Sequence, residues 1–340
     1  MEYAIRRTYG REPKPNLSQW HTVTMTLAIC GVSLLFAYQY SDDYPIAADD
    51  DTTLPWRFIS GLVKNSTAAS LFGIVILAVI ALMQQRMNYY MTLIRYKTKL
   101  PFLLFFLLGS TNLGFLPICP ASIAMLFFIP ALFELFRSNE YMEAARAFNA
   151  TALIGIGSLI WVHLLWFIPI YWFGMYKLKM LGVRNLLATI FGALTVYGFV
   201  LGWCIWQRDF TALSIPVRQL MAIDMSFPQN LMRNFQWITA TGIFLLLLAV
   251  SLYIRFQEFA SSLHTRRMLS FLFVFAAYAF VLLFIYNKLY FPDLLYVMYM
   301  PASLIFACYF SSKQGVAAFL LYYIFLVFLF LSVLMQIWLL

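Results

Sequence analysis

Charge is scarce in this chain: Lys, Arg, Asp and Glu make up 11% of its 340 residues, while 63% are hydrophobic. Soluble domains carry about 25% charged and about 45–50% apolar residues, so a water-soluble fold is excluded and an integral membrane protein is implied. Cysteine and histidine are rarer still. Cys30, Cys119, Cys204 and Cys308 each fall in or beside an apolar run, with no CxxC pair and no His nearby. That spacing argues against a metal framework or disulfide pattern and for reduced, buried packing residues. No phosphate loop, HExxH helix or GxSxG elbow is present, which removes the enzyme classes those motifs mark. The net charge is +9, yet the 23 basic residues form no continuous stripe. They cluster beside apolar runs, as topology signals do, and nucleic acid is not an expected partner. Ionisable residues inside the apolar runs are few and no internal repeat is evident, which counts against ion-coupled pumps and common transporter designs.

What the chain has in abundance is long apolar runs. At least seven stretches of roughly 17 residues or more lack Lys, Arg, Asp and Glu, and about 20 such residues cross a hydrocarbon core as a helix. Lipid offers no partner for unpaired backbone groups, so the expected fold is all-α, a polytopic helical bundle of about 10–11 membrane segments. Residues 1–19 carry Arg6, Arg7, Arg11 and Lys14 and read as a cytoplasmic segment ahead of an uncleaved first span, His21 to Ala37. Residues 41–66 follow as an external acidic loop, then a span from Thr67 to Met83 and a basic polar turn over 84–100 whose apolar-aromatic interleaving suits a short helix lying at the interface. The 36 positions 101–136 would make a helix of about 54 Å, too long for one crossing. Two helices with a buried turn are therefore expected there, returning the chain to the cytoplasm at Arg137.

The stretch 148–174 is long enough to cross once, but a single crossing would put Lys177, Lys179 and Arg184 outside and invert every later basic cluster. A small-residue helix over about 150–160 and an aromatic helix over about 161–173, re-entering from one side, keep those clusters inside. Later spans are expected at 185–206, 237–254, 268–287, 294–310 with a kink at Pro301, and 315–338. The external loop 207–236 should carry an amphipathic helix after Pro216, marked by Val217, Leu220, Met221 and Asp224. In this arrangement all eight aspartates lie outside and all six glutamates lie inside or at the inner edge of a span.

Several residues are candidates for chemistry, each with an ordinary alternative. Asp42, Asp43, Asp49, Asp50 and Asp51 would hold a divalent cation through oxygen ligands or act as a base toward a sugar hydroxyl; otherwise they are a solvated loop. Arg57, Arg208, Arg218 and Arg233 would bind a lipid phosphate by bidentate hydrogen bonds, or are surface charges. His163 is the clearest ionisable group in a span, a ligand or catalyst, or a histidine bonded to a neighbouring carbonyl. Trp161, Trp166, Tyr171 and Trp172 would line a lipid groove or anchor at the interface. Asn112, Asn149 and Asn185 sit where helix capping is the first explanation.

The run NATALIGIGSLIWVHLLWFIPIYWFGMYKLKMLGVRNLLATIFGALTVYGFVLGW places a Gly-x-Gly helix, a break, an aromatic helix, a basic turn and an Arg-Asn pair before a Gly-containing span. Over roughly residues 119–206 it resembles the middle of polytopic glycosyltransferases that use lipid-linked sugars. It resembles more closely a family of multi-span membrane proteins of Bacteroidetes for which no activity is settled. The glycosyltransferase resemblance implies a functional acid in the first external loop, where Asp42-Asp43 or Asp49 to Asp51 stand. The loop departs from that pattern in lacking a compact acidic motif followed by Tyr. The expectation is a bacterial inner-membrane protein that handles a lipid-linked sugar of the cell envelope at its outer face. The alternatives are a non-catalytic subunit or scaffold with envelope protein partners, or a lipid flippase or transporter.

Overall fold

The computed structural model describes residues 17–39, 52–63, 65–94, 98–115, 117–137, 143–223, 231–256, 263–286, 291–312 and 316–339. Among them the chain forms thirteen α-helices: α1 (Leu17–Gln39), α2 (Leu54–Leu62), α3 (Ser66–Met91), α4 (Leu100–Ser110), α5 (Pro120–Arg137), α6 (Ala144–Ile160), α7 (Phe167–Lys177), α8 (Val183–Gln207), α9 (Thr211–Met221), α10 (Leu231–Phe256), α11 (Leu263–Ile285), α12 (Phe291–Ser312) and α13 (Val316–Leu339). Short 3₁₀ turns occupy Leu113–Phe115 and Val162–Trp166. Helices α3, α5, α8, α10, α11, α12 and α13 each contain a stretch long and apolar enough to cross a membrane. The protein is an all-α, polytopic membrane bundle. Helix α12 is its hub, with 89% of its apolar window buried; α8, at 11%, lies at the periphery with its side chains outward.

Packing fixes the path of the chain. Gly157 near the end of α6 lies against the Ala124 carbonyl near the start of α5, so these helices are antiparallel. Phe128 of α5 meets Phe167 at the start of α7, and Gly174 near the end of α7 faces Leu135 near the end of α5. Helix α7 therefore runs back alongside α5, and its end returns to the side where α6 began. The stretch 148–174 is a re-entrant hairpin, with the break expected from the flanking charges. Helix α8 then runs parallel to α6: Gly192 packs on the Phe148–Thr151 turn, Gly155 on Val196, and the Ser158 hydroxyl pairs with the Tyr197 hydroxyl at 2.9 Å.

Two faces result. One, here the basic face, collects Arg86, Lys99, Arg137, Arg146, Lys177, Lys179, Arg184, Arg266 and Arg267 at or near helix ends. The other, the tip face, carries the hairpin tip, α2 and α9. The buried turn expected within 101–136 is present: α4 stops at Ser110 beside Leu77 of α3, and the chain continues irregularly until Ile118 N–H donates to the Ala69 carbonyl at the tip face. Shorter apolar stretches in α1, α4 and α6 add to the seven long helices among the described residues, and α7 forms the return arm of the hairpin.

Three expectations are corrected. The basic turn over 84–100 is helical as far as Met91, because Gln84 and Asn88 face inward and bond within the bundle. The Gln84 amide donates to the Met300 carbonyl at 2.7 Å and to the Ser303 hydroxyl, and the Asn88 side-chain oxygen accepts from Ile94 N–H. The helix ends at Thr92, which takes a left-handed φ of 46°. The amphipathic helix on the tip face begins at Thr211, upstream of Pro216, which sits inside it. Pro216 is the sixth residue of this helix and lacks the N–H that would bond to the Ala212 carbonyl, so the helix runs on at the cost of one backbone hydrogen bond. Trp161 and Tyr171, 2% and 0% exposed, are core residues in place of interface anchors. Pro301 lies within a continuous α12. The four cysteines are free thiols, three of them buried, as expected.

Candidate functional site at the hairpin tip

The hairpin forms because α6 is rich in small residues and α7 in aromatic ones. AARAFNATALIGIGSLI lets α5 and α8 approach closely, the usual device for helix association where lipid removes the hydrophobic drive. The helix stops at Trp161, whose extended φ of −132° and ψ of 98° turn the chain into the 3₁₀ segment. Trp161 N–H still bonds back to the Gly157 carbonyl, and Leu164 N–H to that of Trp161.

Other elements are pinned to this tip. The Thr53 hydroxyl, at the start of α2, donates to the Ile160 carbonyl at 2.9 Å. The Tyr278 hydroxyl of α11 donates to the Trp166 carbonyl at 2.7 Å. The Tyr286 hydroxyl donates to the Leu220 carbonyl of α9, also at 2.7 Å. These bonds satisfy carbonyls that a helix end leaves open and lay α2 and α9 over the tip. Beneath them His163 is completely buried, its ring centroid 4.7 Å from that of Tyr286 and 5.8 Å from that of Trp161.

The sequence candidates divide accordingly. His163 is at the tip; Arg57 is on α2 and Arg218 on α9, the two helices that cover it. Arg57 is half-buried, and its Nε has no hydrogen-bond partner. Arg208 is exposed at the junction of α8 and α9, with a left-handed φ of 54°. Arg233 lies in the first turn of α10, its side chain outside the described residues. Asp42, Asp43, Asp49, Asp50 and Asp51 also lie outside the described residues, as does Asp224. Among the described residues no three His, Cys, Asp or Glu side chains gather as metal ligands. The Asn112 oxygen accepts from Gly114 N–H, a local cap as anticipated, whereas Asn149 and Asn185 lie inside α6 and α8 in place of capping them, and the Asn185 amide donates to the Met180 carbonyl.

Sequence reasoning missed Asp293. Counted with the external acids, it is 9% exposed in the first turn of α12 and accepts from Ala121 N–H in the first turn of α5. Two helix N-termini, each the positive end of a backbone dipole, thus share one carboxylate. The only local signal is Phe-Pro-Asp, a proline-led helix start with an acid in the first turn.

Fold and tip together define the class: a multi-pass all-α membrane protein built around a re-entrant hairpin. Compared with known proteins, the chain matches no family model, no curated protein and no solved structure.

Proposed function

We propose that this protein resides in a bacterial inner membrane with its N-terminus in the cytoplasm, and that it handles a lipid-linked envelope glycan intermediate at its outer face. The orientation rests on the basic face, whose Lys and Arg clusters mark the cytoplasmic side by the positive-inside rule. The tip face is then external.

One observation supports the activity most directly: the re-entrant tip bearing His163 lies under two short helices that bring Arg57 and Arg218 to the same face. Guanidinium groups at membrane-surface depth suit the diphosphate of a lipid carrier, because the planar fork donates two parallel hydrogen bonds to phosphate oxygens. The resemblance of residues 119–206 to lipid-linked-sugar glycosyltransferases adds the reaction class. An aspartate of 42–51 serves as base, and a divalent cation held by its neighbours would act beside it as a Lewis acid that makes the acceptor hydroxyl easier to deprotonate. The aspartate removes the acceptor hydroxyl proton as the acceptor oxygen bonds to the anomeric carbon and the bond to the carrier phosphate breaks, leaving its electron pair on a phosphate that the arginines stabilise.

Replacing Asp42, Asp43 and Asp49 to Asp51 by Asn is expected to abolish synthesis of the envelope glycan in cells, with the protein still present in the membrane. Unchanged glycan at equal protein level would reject the enzymatic reading. Stoichiometric partners recovered on affinity purification would then favour the scaffold.

A further inference from the structure

On the basic face, opposite the tip, a cavity of about 840 Å³ opens between the last turns of α3, the last turns of α5 and the first turns of α11. Its size is that of a site for a ligand of a few dozen atoms. Its lining is divided by chemistry. The well is apolar, with Met87 and Met268 buried at 2% and 1% exposure. The rim carries three nitrogen donors from three helices: Arg86 of α3, Arg137 of α5 and His264 of α11. Both arginines are exposed.

Among the described residues no carboxylate lines this cavity. Glu134, one turn before Arg137, is not among the residues that line it. Arg86 lies 5.9 Å from the centroid of the Tyr90 ring, which holds the guanidinium at the rim without neutralising it. The rim stands within the last turn or two of helices that end at the membrane surface, the depth of lipid headgroups. A soluble anion has no use for a methionine-lined well, and a neutral lipid has none for two arginines. Both features are matched by one molecule with an anionic head and a hydrocarbon tail. Methionine walls are polarisable and adapt to such a chain, and basic pockets between membrane helices recognise lipid phosphate.

We infer that this cavity is a binding site for a phosphate-bearing lipid, its head held by Arg86, Arg137 and His264 and its chain lying against the Met87–Met268 wall. The site faces the other side of the membrane from the hairpin tip and stands independently of the activity proposed there.

The test uses the full-length protein purified in neutral detergent and offered phosphatidic acid, phosphatidylcholine or glycerol 3-phosphate, with native mass spectrometry counting retained ligand. Wild type is expected to retain one phosphatidic acid at least tenfold more tightly than phosphatidylcholine, and Arg86→Gln with Arg137→Gln to lose that preference. Arg86→Lys with Arg137→Lys keeps the charge and removes the fork, and is expected to fall between the two. Arg184→Gln, which removes a charge from the same face outside the cavity, is expected to bind as wild type does. Glycerol 3-phosphate binding as tightly as the lipid would overturn the lipid assignment in favour of a soluble organophosphate. Retention unchanged in the double Gln variant, or equal for the two lipids in wild type, would overturn the site itself.

Discussion

Asp293 shows how a single side chain can be placed correctly along the chain and wrongly in its surroundings. Its position among the tip-face acids follows from counting spans, but its burial depends on Ala121, 172 residues away, whose N–H it accepts at 3.4 Å. No local window of sequence contains that pairing. The same is true of Gln84, which reads as the first residue of a polar turn until Met300 and Ser303 are brought beside it. His163 is different: as a rare ionisable residue in an apolar run it is visible at once, while its complete burial under α9 depends on the packing. For Asp293, replacement by Ala is expected to lower stability by about 1–3 kcal/mol, since it leaves the Ala121 N–H at the start of α5 without its acceptor. Asp293→Asn keeps an acceptor without the charge and is expected to recover part of the loss. Thermal unfolding of both variants in detergent measures it; no change in the midpoint for Asp293→Ala would show that the carboxylate is not structural.

Among the elements, the hairpin was the most legible and the most informative. Hydropathy alone makes 148–174 a single crossing; the lysines and arginine that follow at 177, 179 and 184 require the break, and Trp161 supplies it. The end of α3 was not legible, because Gln84 and Asn88 are polar in sequence and inward-facing in the bundle. Helix α8 carries the clearest test of packing at this scale. A Cβ at Gly192 would run into the Phe148 carbonyl and the Thr151 hydroxyl of α6, whereas those at Gly198 and Gly202 would meet nothing within 4 Å. Gly192→Ala is therefore expected to cost about 1–3 kcal/mol by forcing the two helices apart. Gly198→Ala and Gly202→Ala are expected to be within about 0.5 kcal/mol of wild type. Equal midpoints for all three in thermal unfolding would contradict the close contact of α6 with α8.

For the whole molecule, the charge distribution made class and path readable while leaving chemistry mostly unread. Scarce charge identified a membrane bundle of about 10–11 segments, and the clustering of lysine and arginine called for re-entry at the hairpin. The cavity between α3, α5 and α11 stayed hidden, since Arg86, Arg137 and His264 sit in three separate basic clusters that sequence assigns to topology alone. Everything functional depends on which side each face occupies, and the hairpin decides that for all of α8 to α13. The direct measurement is labelling of single cysteines by a membrane-impermeant maleimide in intact cells, in a variant whose four native cysteines are replaced. Glu143, Lys179 and Asn65 are all exposed and serve as sites. Labelling of Asn65→Cys in intact cells, with Glu143→Cys and Lys179→Cys labelled only after permeabilisation, is the expected result. Labelling of Lys179→Cys in intact cells while Glu143→Cys stays protected would make 148–174 a single crossing and contradict the re-entrant fold.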